Sequence, residues 1–79
     1  MSLSETALQA MLSASQGKLY FPITSSALSG VEYSVGGTAT IHFQDGSSED
    51  YDFGLSVLAA LLAAGSAGAY FNRVIRVLR

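Results

Sequence analysis

Apolar and polar residues alternate between Val31 and Phe53, and two glycine-bearing pairs, Gly36-Gly37 and Asp45-Gly46, interrupt the alternation. A period of two marks a strand with one face buried, because successive side chains leave opposite faces of an extended chain. Gly-Gly and Asp-Gly suit tight hairpins, since both accept the positive φ such turns require. Val31, Tyr33 and Val35 therefore face inward in a first strand, with Glu32 and Ser34 outward. Residues 38–44 form its partner, with Ala39, Ile41 and Phe43 inward and Thr40, His42 and Gln44 outward. Tyr51 and Phe53 share the inner face of a third strand, while Asp50 and Asp52 take the other. Three strands joined by two tight turns give an antiparallel meander.

The flanking segments change period. Ser2 and Glu5 have capping-box spacing, and Leu3, Ala7, Leu8, Met11 and Leu12 then fall on one helical face. Gly17 is placed to end that helix. Residues 18–23 read as extended or irregular, because Pro22 disfavours helix at the residue before it. Their Leu19, Tyr20, Phe21 and Ile23 are expected to pack. After Gly54, Ser56 is placed to cap a helix over residues 57–64, apolar almost all round and so buried on more than one side. Gly65 closes it. Ser66 opens a last helix with apolar rows Tyr70, Val74, Val77 and Phe71, Ile75, Leu78, and Asn72, Arg73 and Arg76 on its other side. The expected fold is α+β in the order α-β-β-β-α-α, with the C-terminal helices packed on one face of a three-stranded sheet. Residues 1–24 supply an N-terminal helix and connection, and residues 25–79 the β-β-β-α-α unit, in one structural domain.

Composition bounds the function. The 79 residues include no cysteine, which excludes disulfides and thiolate metal sites, and a single histidine, which leaves zinc poorly provided for. No metal and no cofactor are expected. Charged residues are 13% of the chain, against roughly 25% in an average soluble domain. So little charge on so small a domain points to surface covered by another copy or by a partner, with a homo-oligomer expected and Ser, Thr and Gly as the alternative source of wet surface. The longest apolar run, residues 57–64, is far shorter than the ~20 residues a spanning helix needs, and no basic region precedes an apolar stretch at the start. A cytoplasmic protein without membrane contact is expected. The net charge of −2 has the wrong sign for general DNA binding. Charge is nonetheless segregated, with Arg73, Arg76 and Arg79 at the C-terminal end and Asp45, Glu49, Asp50 and Asp52 in the middle.

These motifs coincide with a known pattern. Ser25-Ser26 precedes Val31-Glu-Tyr33, Ile41-His-Phe43 leads into Asp45-Gly46, and the aromatic pair Tyr51-Asp-Phe53 follows. Residues 65–76, Gly-Ser-Ala-Gly-Ala-Tyr-Phe-Asn-Arg-Val-Ile-Arg, are the most specific part. Over residues 25–76 the chain resembles the KTSC domain family, named for the C-terminus of some lysyl-tRNA synthetases and also found as stand-alone bacterial and phage proteins. The family's central pair is usually Tyr-x-Tyr, so Phe53 lacks a hydroxyl, and Gly54-Leu55-Ser56 stands where a Val-Pro is common. The resemblance implies a domain with no established activity, for which RNA binding has been suggested.

Four candidate sites follow from the residues. Arg73 and Arg76 share a helical face with Asn72 nearby, Arg79 extends the basic tail, and guanidinium forks suit phosphate or carboxylate. The structural alternative is that these cations complement the helix dipole. Ser66 and Gly68 lie where free amides at a helix start can meet an anion, or where a compact helix–helix turn is made. Tyr51 and Phe53 could stack on a base, or form core. His42 with Asp50, Asp52 and nearby serines lacks a Gly-x-Ser-x-Gly elbow, and the acidic residues lack calcium-loop spacing. No enzyme is expected. The sequence supports a non-catalytic module that binds an anionic ligand, whether nucleotide, RNA or phosphorylated metabolite. The alternative is a structural module acting through homo-oligomerisation or partner contact.

Overall fold

The sheet has four strands rather than three, because residues expected to be irregular extend and pair. The computed structural model describes residues 4–78. Helix α1 (Glu5–Ala14) leads into β1 (Lys18–Pro22), β2 (Leu28–Ser34), β3 (Thr38–Phe43) and β4 (Ser48–Asp52), then α2 (Leu55–Ala63). Helix α3 (Ala67–Tyr70) continues without a break into a π turn (Phe71–Ile75) and a 3-10 turn (Arg76–Leu78). All neighbouring strands pair antiparallel, in the order β1-β2-β3-β4.

Strand β1 pairs with β2 from Lys18↔Ser34 to Pro22↔Gly30. Proline is compatible with this strand for a local reason. Val35 N donates to Gly17 O (2.7 Å) and Ile23 N to Ser29 O (3.1 Å), so positions 17, 19, 21 and 23 bond to β2. Pro22 therefore faces away from the ladder, and its missing N–H removes no bond.

Both hairpins close through three-residue loops. In the first, Gly37 N donates to Ser34 O (2.9 Å). Only Gly37 has positive φ there, 95°, and not the whole Gly36-Gly37 pair. The strand thus ends one residue early, and Val35, expected inward, is 67% exposed in the turn. In the second, Gly46 takes φ 91° and its N–H donates to Phe43 O (3.0 Å). The Asp45 carboxylate accepts from Ser47 N (2.9 Å) and Ser47 Oγ (2.6 Å), which fixes the loop. A register shift between Leu28 and Gly30 marks a bulge in β2. It lets Leu28 and Val31, three residues apart, both reach the core.

The helices lie on one face of the sheet. Leu8 and Leu12 of α1, Leu58 and Leu61 of α2, and Phe71 and Ile75 of the last segment pack over Val31, Tyr33, Ala39, Ile41 and Tyr51. Ser2 and Leu3 lie outside the described residues, and α1 is capped by Ser4, whose Oγ accepts from Ala7 N (3.1 Å). Gly54, not Ser56, is the N-cap of α2, which stops at Ala63 ahead of an extended Ala64. Only Leu58 and Leu61 of α2 are fully buried, although Val57, Ala59 and Leu62 also touch the core. Met11, Val77 and Leu78, expected on buried rows, are exposed.

Phe71 meets Phe43 edge-on at 5.4 Å and Tyr51 at 5.6 Å, which places it between the last helical segment and the sheet. Replacing Phe71 by Ala should cost about 3–5 kcal/mol, the range for deleting a buried aromatic. In a domain this small, that is most of the stability. Urea unfolding followed by circular dichroism measures it, and an unchanged midpoint would show that Phe71 does not hold the segment down.

Candidate functional site

The helical segment after Ser66 begins with an ordinary cap, since Ser66 Oγ accepts from Ala69 N (3.2 Å). It then widens, and Arg76 N donates to Phe71 O in the i→i+5 bond of a π turn. The consequence is positional. Residues five apart now stack, and the Arg76 guanidinium lies over the Phe71 ring, 5.5 Å from its centroid. Such a contact between cation and ring contributes about 0.5–1 kcal/mol at an exposed site. The α-helical spacing that placed Arg73 beside Arg76 does not hold through this turn.

Arg76 borders an open cleft of about 450 Å³. One wall is Ser26 and Ala27, from the connection between β1 and β2. The other comes from the end of β3, the following loop and β4: Phe43, Asp45 and Glu49 are its distinctive residues. Gln44 ties the walls together, its Nε2 donating to Ser25 O and Leu28 O at 3.0 Å each. The Ser47 hydroxyl and N–H hold the Asp45 carboxyl below the usual carboxylate range. Glu49 Oε1 accepts from the Tyr51 hydroxyl (2.7 Å). The cleft therefore has both an arginine and carboxylates in its lining.

A second cleft of about 430 Å³ adjoins the first across Ser26 and Ala27, which line both. It brings together Ser66, Gly68 and Asn72 with Thr24 and Ser25. Ser25 Oγ accepts from Ala27 N (3.1 Å) and Leu28 N (3.3 Å), which shapes the opposing loop. A Cβ on Gly68 would meet Ser25 Oγ at 3.4 Å, an ordinary contact, so the two walls lie close without depending on glycine there. Ser66 and Arg76 lie at opposite ends of the last helical segment, yet the clefts they line are neighbours. Arg73 lines neither cleft, and Arg79 lies outside the described residues.

The stacking role of Tyr51 and Phe53 does not survive. Tyr51 is 4% and Phe53 8% exposed, so neither ring is presented to a ligand. Tyr51 packs on Phe71, and Phe53 on Tyr33 at 5.8 Å, whose hydroxyl donates to Phe53 O (2.6 Å).

The outer face of the sheet holds a polar cluster that the sequence did not disclose. Glu32 lies 3.1 Å from His42 Nε2 and 3.4 Å from Lys18 Nζ. Lys18 and His42 are its diagonal neighbours on the two flanking strands, within reach of long side chains. Cross-strand register would have found this cluster, but only once β1 was known to be a strand. Tyr20 lies across Gly30, where a Cβ would collide with its phenol, and meets His42 edge-on at 6.0 Å.

A family model described as KTSC domain matches residues 24–77. No curated protein and no solved structure matches the chain. No helix of the described residues is long and apolar enough to cross a membrane.

The Glu32 carboxyl is held below its ordinary range, first by the His42 hydrogen bond and then by Lys18. A carboxyl whose folded pKa is depressed stabilises the fold above its unfolded pKa, about 4.3, and that contribution disappears as pH falls through the folded value. Glu32→Gln should therefore be less stable than the parent at pH 6, with the two converging as the solution is acidified. Melting temperatures across that range test this, and a gap that does not narrow in acid would contradict it.

Proposed function

The chain belongs to the KTSC domain family, and from the geometry around its last helix we propose that it is a non-catalytic module binding a small anionic ligand. One observation carries this reading. The Arg76 guanidinium is held over the Phe71 ring and lines a cleft, and among the described residues no carboxylate lies within ion-pair distance of it. A guanidinium positioned in this way presents its planar fork to phosphate or carboxylate. The volume of about 450 Å³ falls within the range of small-molecule sites. The adjoining cleft adds hydroxyls from Thr24, Ser25 and Ser26 and the Asn72 amide for the uncharged part of a ligand.

The Asp45 carboxylate in the same cleft discriminates among anions. A nucleotide or phosphorylated metabolite can set one charged group on Arg76 and keep clear of it. A longer RNA strand must pass phosphates near it, which favours the short ligand. The non-catalytic reading is supported by the position of His42, which alternates with inward Ile41 and Phe43 and so lies across the sheet from both clefts. A second reading, interaction through self-association, draws on Val77 and Leu78, 72% and 48% exposed beside Arg76.

Two measurements separate these readings. Titration calorimetry with a panel of nucleoside phosphates and short oligonucleotides should show binding that weakens with added salt, as charge-driven contacts do. Arg76→Gln, alone or combined with Arg73→Gln, should weaken it by roughly 1.5–3 kcal/mol for each charged hydrogen bond that Arg76 loses while leaving the fold nearly intact. Binding that survives the double replacement, or none by the parent, counts against the anion site. Sedimentation of the same proteins should show a species above 8.2 kDa if the exposed C-terminal residues pair. If the double variant loses assembly rather than ligand, the arginines serve an interface.

A further inference from the structure

We propose that the free edge of β4 docks an extended segment of another protein carrying Lys or Arg at alternate positions. This does not rest on the anion clefts, although Glu49 of the same strand lines one of them. Among the described residues, strand β4 pairs only with β3. Phe43 N donates to Ser47 O and Phe53 N to Gly37 O, both at 2.9 Å. Antiparallel bonding recurs every second residue, so the backbones of Glu49 and Tyr51 bond to β3. Those of Ser48, Asp50 and Asp52 point out of the sheet, and all three residues are exposed. Their N–H and C=O groups form an unbroken row without a proline. The opposite edge is different, because β1 turns Lys18, Tyr20 and Pro22 outward and Pro22 has no N–H.

The side chains decide what the β4 edge accepts. Asp50 and Asp52 point to the outer face, where Thr40 Oγ1 donates to Asp50 Oδ1 (2.7 Å) and Thr38 Oγ1 to Asp52 Oδ1 (3.3 Å). Both carboxylates are thus fixed beside the edge before any partner arrives. An added strand sets its alternate residues directly opposite Ser48, Asp50 and Asp52, where unlike charges stabilise and like charges repel. A second copy is a poor occupant. Two β4 strands pairing antiparallel would set these aspartates against one another, which is how acidic edges avoid self-pairing. The β1 edge of a copy offers one cation, Lys18, and is interrupted by Pro22. A basic strand from a different protein meets both requirements, backbone pairing and charge.

The probe is the peptide acetyl-Thr-Lys-Val-Lys-Val-Lys-Thr-amide, added to ¹⁵N-labelled full-length protein. On binding, the amide signals of Ser48, Asp50 and Asp52 should move, and their hydrogen exchange should slow by about tenfold or more. N-methylation of the three peptide lysines keeps every charge but removes the N–H groups aimed at β4, and should weaken binding by about tenfold or more. Asp50→Asn with Asp52→Asn should weaken it severalfold while keeping an acceptor for each threonine. The proposal is overturned if the N-methylated peptide binds as well as its parent, which would mean charge attraction without strand addition. It is equally overturned by no binding at millimolar peptide, by shifts confined to another surface, or by edge amides already protected in a self-associated species.

Discussion

Phe71 touches Phe43 at the end of β3, Tyr51 in the middle of β4 and, through its own face, the Arg76 guanidinium. Edge-to-face contacts of this kind add to area burial and set ring orientation as well. With the ring fixed, the last helical segment can sit at only one height over the sheet. That height decides where Arg76 stands and hence which residues share its cleft. The π turn belongs to the same constraint. Phe71 and Ile75 are both buried, and the wider turn between Phe71 and Arg76 brings the guanidinium over the ring instead of past it.

The two faces of the sheet obey different rules. On the helix side the core is apolar, with no buried polar or charged residue among those described. On the open side, Glu32, His42 and Lys18, then Thr40 with Asp50 and Thr38 with Asp52, form cross-strand pairs that stay wet. Exposed pairs like these contribute modestly to stability. Their larger effect is to fix side chains that would otherwise be mobile, so that the open face presents a defined arrangement of charge.

Much of the fold was legible because burial on one face forces a period of two, and the segments through Val31, Ile41 and Tyr51 kept it. Strand β1 was not legible. Pro22 argues against a strand unless its position is known to face outward, and that depends on pairing with β2, which is not local. The end of β2 was misread for a related reason, since Val35 fits the alternation yet is taken by the turn that Gly37 makes. The π turn left no mark in the sequence, because tertiary packing around Phe71 produces it. That one turn separated Arg73 from the cleft Arg76 borders. Tyr51 and Phe53 were ambiguous for a different reason, as an aromatic alternation looks the same whether the face is core or platform. The proximity of Asn72 and Ser66 to the Arg76 cleft depended on the irregular connection through Ser25-Ser26-Ala27, whose path no periodicity encodes.

Charge segregation explains how a chain with so few charged residues can keep distinct surfaces. The sequence carries four of its six acids between Asp45 and Asp52 and its three arginines at the C-terminal end, and folding turns that linear division into a spatial one. Asp50 and Asp52 go to the open face beside the β4 edge, while Arg76 goes to the helix side. Asp45 and Glu49 lie between, on the wall of the Arg76 cleft, because the loop and strand that bear them border both regions. Arg76 and these carboxylates thus line one cleft. Screening in physiological salt acts over roughly 8 Å, so charges that share a cleft are only partly screened from one another. Under the proposed anion-binding reading, a compact ligand would satisfy the arginine and avoid the carboxylates more readily than an extended polyanion, and size selection would follow from charges already placed by the fold.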